Sequence, residues 1–139
     1  RYQLALVTAI VKKAKSSERA YTCLKYAWVL RGKRQFLTSK PEGIRPEEIR
    51  SLYGDELECL KNAYEGFLQA ISTETFPIAG MDENTLNYLL ADLARRLGRN
   101  EEALRLLSDV ITSRTASSRM KDEALKIKEL IRESIKNKN

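Results

Sequence analysis

The residue types that most often perform catalysis are either absent from this sequence or poorly spaced. The chain contains no histidine, which excludes Ser-His-Asp and Cys-His catalysis and imidazole metal ligation within these residues. Its two cysteines, Cys23 and Cys59, are too few for a structural zinc site and too distant in sequence for a CxxC motif. We expect two reduced thiols in or near the core, because free cysteine is among the most buried residue types. A disulfide between them is the alternative.

Carboxylates are plentiful, but their positions indicate solubility and helix polarity rather than catalysis. The acidic pairs Glu47-Glu48, Asp55-Glu56 and Glu101-Glu102 fall in early turns or on polar faces of predicted helices. Glu65 and Asp92 lie closer to apolar stripes and would matter only if they met in a pocket with shifted pKa values. The six glycines are too dispersed to form a phosphate-binding loop. We therefore expect no enzyme, with no catalytic residue, cofactor or metal site.

Length and composition predict one helical domain over residues 1–139. The chain has 139 residues, of which 42% are hydrophobic and 32% are charged, and its net charge is +6. These values are typical of a soluble globular domain, and no apolar run is long enough to span a membrane. No secretory segment is present, so we expect a cytoplasmic protein with no membrane partner. Because the first residue is Arg1 rather than Met, we also expect a fragment of a longer chain, with a processed chain as the alternative.

Apolar residues recur every three or four positions along most of the chain, which predicts an all-α fold of about six antiparallel helices. Pro41 and Gly43 predict a loop from Lys33 to Arg45, after a helix that ends at Gly32. Gly54 is a candidate break in the long third helix. The predicted helices span residues 2–14, 16–32, 46–74, 82–98, 100–111 and 120–135. Asp82 is expected at the start of the fourth helix, and Asn100 is expected to cap the fifth.

Two segments share the spacing of a tetratricopeptide repeat, in which small residues let paired helices approach and larger ones fill the gap between hairpins. The first is carried by Leu90-Ala91, Ala94, Gly98, Ala103, Leu107 and Val110. The second is carried by Ala27, Leu30, Ala63, Phe67 and Ala70. The bulky aromatic expected early in the first helix is replaced by Asn87. We predict stacked tetratricopeptide-like hairpins, with a generic helical bundle as the alternative.

Longer runs of sequence resemble an uncharacterised bacterial family, a domain of unknown function found largely in Firmicutes. The runs are RYQLAL from Arg1, Ala27-Trp28, NAYEGF from Asn62, Phe76-Pro77 and MDENTLNYLLADLARRLG from Met81. Members of that family typically carry an amino-terminal, cysteine-rich segment similar to a zinc ribbon. This chain has no such segment, so the resemblance carries no zinc function over. It implies a helical-repeat fold and brings no established activity.

In such a stack, the first helix of each hairpin lines a concave groove that binds an extended peptide or a partner helix. The expected groove residues are Tyr21, Leu24, Trp28, Arg31, Thr85, Tyr88, Asp92, Arg95 and Arg96. Aromatic side chains favour binding hot spots, and arginines bind carboxylates. The alternatives are that Trp28 is a core residue and that the two adjacent arginines only complement the helix dipole. The carboxylate-clamp pattern of chaperone-binding tetratricopeptide proteins is not reproduced.

Positive charge is concentrated near the amino terminus, where residues 1–45 contain 11 basic and 2 acidic residues. A basic surface of this kind attracts phosphates or an acidic protein. The candidate contacts are Lys12, Lys13, Lys15, Arg19, Lys33, Arg34 and Lys40. No nucleic-acid-binding motif accompanies them, so we favour a protein or peptide partner and keep nucleic acid as the alternative. The last helix is expected either to cap the stack or to form a homodimer.

Overall fold

The computed structural model describes residues 15–39 and 46–138, and the regular elements of these residues are all helices. The all-α class is therefore confirmed for the described part of the chain. The predicted helix over 2–14 lies outside it, as do residues 40–45 of the predicted loop. The described helices are α1 (Ser16–Ser39), α2 (Pro46–Thr73), α3 (Glu83–Arg96), α4 (Asn100–Ile111) and α5 (Ser118–Lys138).

These helices belong to two compact units that divide after Thr73. The first unit contains α1 and α2, and the second contains α3, α4 and α5. A single domain over residues 1–139 stays a prediction.

Two glycine predictions in the first unit are wrong. The second predicted helix does not end at Gly32, because α1 continues to Ser39. Residues 33–39 are therefore helical rather than part of a loop. Gly54 does not interrupt α2 either. A glycine ends a helix when it adopts a left-handed conformation, and neither of these two does so.

Helices α1 and α2 pack antiparallel along an apolar seam. Their direction follows from two contacts, because Ala20 lies against Gly66 at one end and Arg34 bonds Glu56 at the other. The cysteines are buried in this seam as thiols, as the sequence predicts. The buried apolar residues are Ala20, Cys23, Leu24, Ala27, Leu30, Cys59, Leu60, Ala63, Tyr64, Phe67 and Ala70.

In the second unit, α4 packs against both α3 and α5. The buried apolar residues are Ile78, Leu86, Leu90, Ala91, Leu93, Ala94, Ala103, Leu107, Val110, Ala124 and Ile131. A polar contact adds to this core, because the buried Asn84 amide donates to the Thr115 hydroxyl at 2.8 Å. This bond ties the first turn of α3 to the turn that precedes α5.

The ends of α3 follow the sequence prediction, whereas the start of α4 does not. Asp82 caps α3 by accepting a hydrogen bond from the Thr85 amide at 2.8 Å. Beyond the other end, Gly98 adopts a φ of 79°, which favours glycine. Asn100 was expected to cap α4, but it is the first helical residue, and Arg99 holds the cap position without a side-chain bond.

Candidate functional site

One face of α1 exposes several large apolar side chains. Tyr21 is 42% exposed, Trp28 47%, Val29 63% and Phe36 58%. On a helix of 3.6 residues per turn these positions share one side, together with Lys25 and Gly32. We call these six residues the α1 outer face. The interpretation of Trp28 as a core residue is excluded by its exposure.

The residues of α1 predicted to line the groove do not all lie on the surface. Tyr21 and Trp28 lie on the surface, but Leu24 is 1% exposed and belongs to the core. Leu24 was expected beside them because it lies one turn away, yet its side of the helix faces α2. Val29 and Phe36 are not among the predicted groove residues, although their spacing of seven residues along the exposed side was a usable signal.

Positive charge accompanies the aromatic rings of the α1 outer face. The ammonium of Lys25 lies 4.9 Å from the centre of the Tyr21 ring, within cation-π range. Lys33 is exposed three residues before Phe36. No atom lies within 4 Å of a Cβ built on Gly32, so the helix backbone is open there. The face therefore combines apolar area, positive charge and a point of close backbone access.

The buried carboxylate of Glu56 pairs with two arginines in the carboxy-terminal half of α1. Glu56 is 3% exposed, and its Oε1 accepts hydrogen bonds of 3.1 Å from both Nε and Nη2 of Arg34. Nε of Arg31 lies 3.5 Å from the other carboxylate oxygen. The Arg34 guanidinium also lies 4.9 Å from the centre of the Tyr53 ring. The polar, solvated position expected for Glu56 is wrong, because the helix register turns it towards α1.

Two of the predicted site residues belong to this ion-pair cluster. The sequence predicts Arg31 in the groove and Arg34 on the basic face. Both arginines instead form ion pairs with Glu56. The structure brings the other basic candidates into no cluster among the described residues. Lys15 and Lys33 are exposed but stand about 27 Å apart along the helix axis. Lys12, Lys13 and Lys40 lie outside the described residues.

Arg19 lies instead in an open cleft between the start of α1 and the second half of α2. The cleft has a volume of about 320 Å³. Its lining residues are Ser16, Arg19, Ala20, Cys23, Asn62, Glu65, Gly66 and Gln69. The sequence leaves open a pocket shared by Glu65 and Asp92. Glu65 belongs to the first unit and Asp92 to the second.

The predicted residues of α3 form a small charged cluster in the second unit. Oδ1 of Asp92 accepts a hydrogen bond from Arg95 Nη2 at 2.9 Å, and Oδ2 accepts one from Arg96 Nε at 2.9 Å. Burial favours the neutral acid, but the hydrogen bonds and charges of Arg96 and Arg95 outweigh it, so the pKa of Asp92 is lowered. Much of the positive charge expected to bind a partner carboxylate is thus neutralised within α3.

Tyr88 completes the predicted set on α3 and is half-buried. Burial raises the pKa of its phenol, and the negative charges of Glu123 and Asp92 raise it further. Tyr88 therefore remains a neutral hydroxyl at neutral pH, able to donate or accept a hydrogen bond.

The described residues contain neither a membrane-spanning helix nor a cluster of metal ligands. None of the helices described has the length and apolar run needed to cross a membrane. In residues 15–39 and 46–138, no group of three or more His, Cys, Asp or Glu side chains could hold a metal ion.

Comparison with known families adds an assignment but no activity. Residues 1–137 match a family described as "Uncharacterized protein conserved in bacteria (DUF2225)". No curated protein matches the chain, and neither does any solved structure.

Proposed function

The chain belongs to the family of uncharacterized proteins conserved in bacteria, and we propose that it acts there as a non-catalytic protein-interaction module. The observation that carries the proposal is the α1 outer face, where Tyr21, Trp28 and Phe36 are each about half exposed on one side of a helix. The proposed occupant is an amphipathic helix of another protein. Its apolar side covers the three rings, and its acidic side chains meet Lys25 and Lys33.

The energetic support comes from the aromatic side chains. Tryptophan and tyrosine are enriched among residues that dominate binding energy, because they bury much apolar area with few rotatable bonds. Full burial of a large apolar side chain contributes roughly 1.5–3 kcal/mol. Three half-exposed rings on one helix face therefore offer a substantial gain to a partner that excludes water from them.

The geometry favours a helical partner. Tyr21 and Phe36 are separated by about 22 Å along the helix axis, which is about four turns. A partner helix of similar length presents anchors at the same three- and four-residue spacing. The open backbone at Gly32 lets the two helices approach closely.

Charge favours a partner different from a second copy of this chain. In a two-fold dimer through the α1 outer face, the lysines of one copy would meet the lysines of the other. Juxtaposed like charges disfavour such pairing. An acidic helix removes this repulsion.

We also propose that the helices stack as tetratricopeptide-like hairpins. The support is that ten residues of the repeat pattern are fully buried: Ala27, Ala63, Phe67, Ala70, Leu90, Ala91, Ala94, Ala103, Leu107 and Val110. Of the other two, Leu30 is 6% exposed and Gly98 is exposed in the turn. A cytoplasmic location forms part of the proposal, since Cys23 and Cys59 are buried thiols and thiols persist in a reducing compartment.

Photo-crosslinking in cells tests the proposal. A photoreactive phenylalanine analogue replaces Phe36 in one variant and exposed Glu129 of α5 in a matched control. We expect the Phe36 variant to capture one protein, with the crosslink in an acidic amphipathic helix, and the Glu129 variant to leave that protein uncaptured. Crosslinks to a second copy of this chain, to nucleic acid or to nothing at Phe36 would contradict the proposal.

A further inference from the structure

We propose that the partner helix inserts one large apolar side chain, here called the knob, into a hole on the α1 outer face, and that this residue determines which helices bind. The hole is bounded by Lys25, Trp28, Val29 and Gly32. This role of the hole rests on the proposed function, because an acidic amphipathic helix must cover the face for a knob to enter it. It specifies the residue pattern which that helix must carry.

The four residues have the spacing of a hole on a helix surface. Positions i, i+3, i+4 and i+7 surround one point of such a surface, and Lys25, Trp28, Val29 and Gly32 occupy these positions. All four are exposed, Trp28 by 47% and Val29 by 63%. The hole therefore faces away from the buried seam between α1 and α2.

The missing side chain of Gly32 makes this hole deep. Outside the chain neighbours and the helix backbone, no atom lies within 4 Å of a Cβ built there, so the backbone forms the floor. The indole of Trp28 and the branched side chain of Val29 stand above this floor on two sides. A small side chain such as that of alanine would leave a void, and a void forfeits dispersion contacts. A leucine, methionine or phenylalanine side chain of the partner fills the hole instead.

The walls of the hole are held in place before a partner binds. Valine has a single, restricted side-chain torsion, and tryptophan has only two. The ammonium of Lys25 lies 4.9 Å from the centre of the Tyr21 ring, and this cation-π contact restrains the lysine. Little side-chain freedom is therefore lost when a knob enters, which favours binding.

Two lysines flank the hole along the helix axis. Lys25 forms its amino-terminal rim, and Lys33 directly follows Gly32. They are eight residues apart, about 12 Å along the axis, and two turns of a partner helix cover about 11 Å. A helix that places its knob in the hole thus brings the residues one turn before and one turn after the knob near the two lysines. We expect acidic residues at both of these positions, because they pair with the lysines.

Photo-crosslinking in cells with two matched variants tests the role of Gly32. A photoreactive phenylalanine analogue at Tyr21 reports on a partner at the α1 outer face, because Tyr21 lies outside the hole. Gly32→Leu fills the hole, whereas Gly54→Leu adds the same side chain at an exposed, unobstructed position of α2. We expect Gly32→Leu to reduce the yield of crosslinked partner at least about tenfold and Gly54→Leu to leave it unchanged. Circular dichroism checks that both variants are folded.

Compensating changes in the captured protein then identify the knob. Mass spectrometry of the crosslink locates the bound helix, and the large apolar residue with an acidic residue one turn to either side is replaced by alanine. We expect this replacement to weaken capture by the unchanged chain about tenfold. It should restore capture by the Gly32→Leu variant, because the leucine then occupies the space that the knob has left.

Three outcomes would overturn this role of Gly32. If the unchanged chain captures no protein at Tyr21, the proposed function fails with it. If capture tolerates Gly32→Leu, or if no large-to-small change in the bound helix restores the capture that Gly32→Leu abolishes, only the knob and its hole are contradicted and the proposed function stands.

Discussion

Arg34 of α1 donates two hydrogen bonds of 3.1 Å to a single carboxylate oxygen of Glu56, which is buried in the partner helix. The contact fixes the register of α1 against α2 beyond Gly32, where the sequence predicts a loop. It also removes Arg34 from the set of free positive charges near the amino terminus. The ion pair between Arg34 and Glu56 thus stabilises α1 beyond Gly32. It also leaves Arg34 unavailable to bind a partner.

The first prediction concerns this ion pair. Glu56→Gln leaves Arg31 and Arg34 without a counter-charge, and breaking a buried pair in this way costs about 3–5 kcal/mol. The two arginine side chains keep 22% and 26% of their surface exposed, so we expect a smaller loss of about 2–3 kcal/mol. Urea unfolding followed by circular dichroism measures it. Exposed Glu58→Gln is the control, and equal stability of the two variants would contradict the role of Glu56.

The second prediction compares the effect on stability of replacing two glycines of α2, Gly54 and Gly66, by alanine. Glycine to alanine in a helix interior gains about 0.5–1 kcal/mol from helix propensity. Nothing lies within 4 Å of a Cβ on Gly54, so Gly54→Ala should stabilise the protein by that amount. At Gly66 the new Cβ would meet Ala20 at 2.9 Å, and overpacking costs about 1–3 kcal/mol.

We therefore expect Gly66→Ala to lower the free energy of unfolding by up to about 2 kcal/mol. Thermal unfolding of both variants beside the unchanged chain gives the sign directly. A stabilising Gly66→Ala would mean that the two helices do not approach as closely as Ala20 and Gly66 indicate.

The third prediction is a pH dependence in the second unit. The pKa of Asp92 is lowered in the folded state, despite burial, by its bonds to Arg96 and Arg95. A lowered carboxyl pKa adds stability above the unfolded pKa, and this contribution disappears as the pH falls through the folded pKa. The stability difference between the unchanged chain and Asp92→Asn should therefore be largest near pH 7 and shrink below pH 3.8. A difference that stays constant between pH 7 and pH 3 would contradict the charge pairing.

The fourth prediction concerns the cap of α3. Asp82 accepts the Thr85 amide hydrogen, and this bond also lowers the pKa of the carboxyl group. Asp82→Ala should cost about 1 kcal/mol, and Asp82→Ser should recover most of that loss because a hydroxyl also caps. Denaturant unfolding of the three chains tests the order. Asp82→Ser as unstable as Asp82→Ala would exclude capping as the reason.

Sequence periodicity was sufficient for the helices whose two ends carry local signals. Pro46 begins α2, and Asp82 and Gly98 bound the region of α3, because caps and left-handed glycines act within a few residues. The end of α1 was wrong because it depends on Arg34 and Glu56, which are 22 positions apart. Local rules do not report a contact whose existence depends on the register between two helices.

The candidate site likewise depends on contacts between helices that local sequence rules do not report. Tyr21 and Trp28 could be proposed from residue type alone, and both are on the surface. Their sequence neighbour Leu24 could not be separated from them, because exposure depends on which side of α1 faces α2. Arg31 was assigned to the groove because arginines bind carboxylates, but the carboxylate that it pairs with is Glu56 of the same chain. The charge pairing of Arg95 and Arg96 with Asp92 could have been predicted from the sequence, because these residues have the three- and four-residue spacing of neighbours on one helix.

The central claim is that an acidic partner helix covers the α1 outer face, and the chain carries its own probe of that event. Trp28 is the only tryptophan, so all tryptophan fluorescence comes from this face. The most direct measurement is a titration of the chain with the helical peptide identified by crosslinking at Phe36, with acrylamide quenching at each point. We predict a blue shift and reduced quenching as Trp28 loses water, and at least about tenfold weaker binding after Lys25→Glu with Lys33→Glu. Saturable binding that leaves the Trp28 emission and its quenching unchanged would contradict the claim.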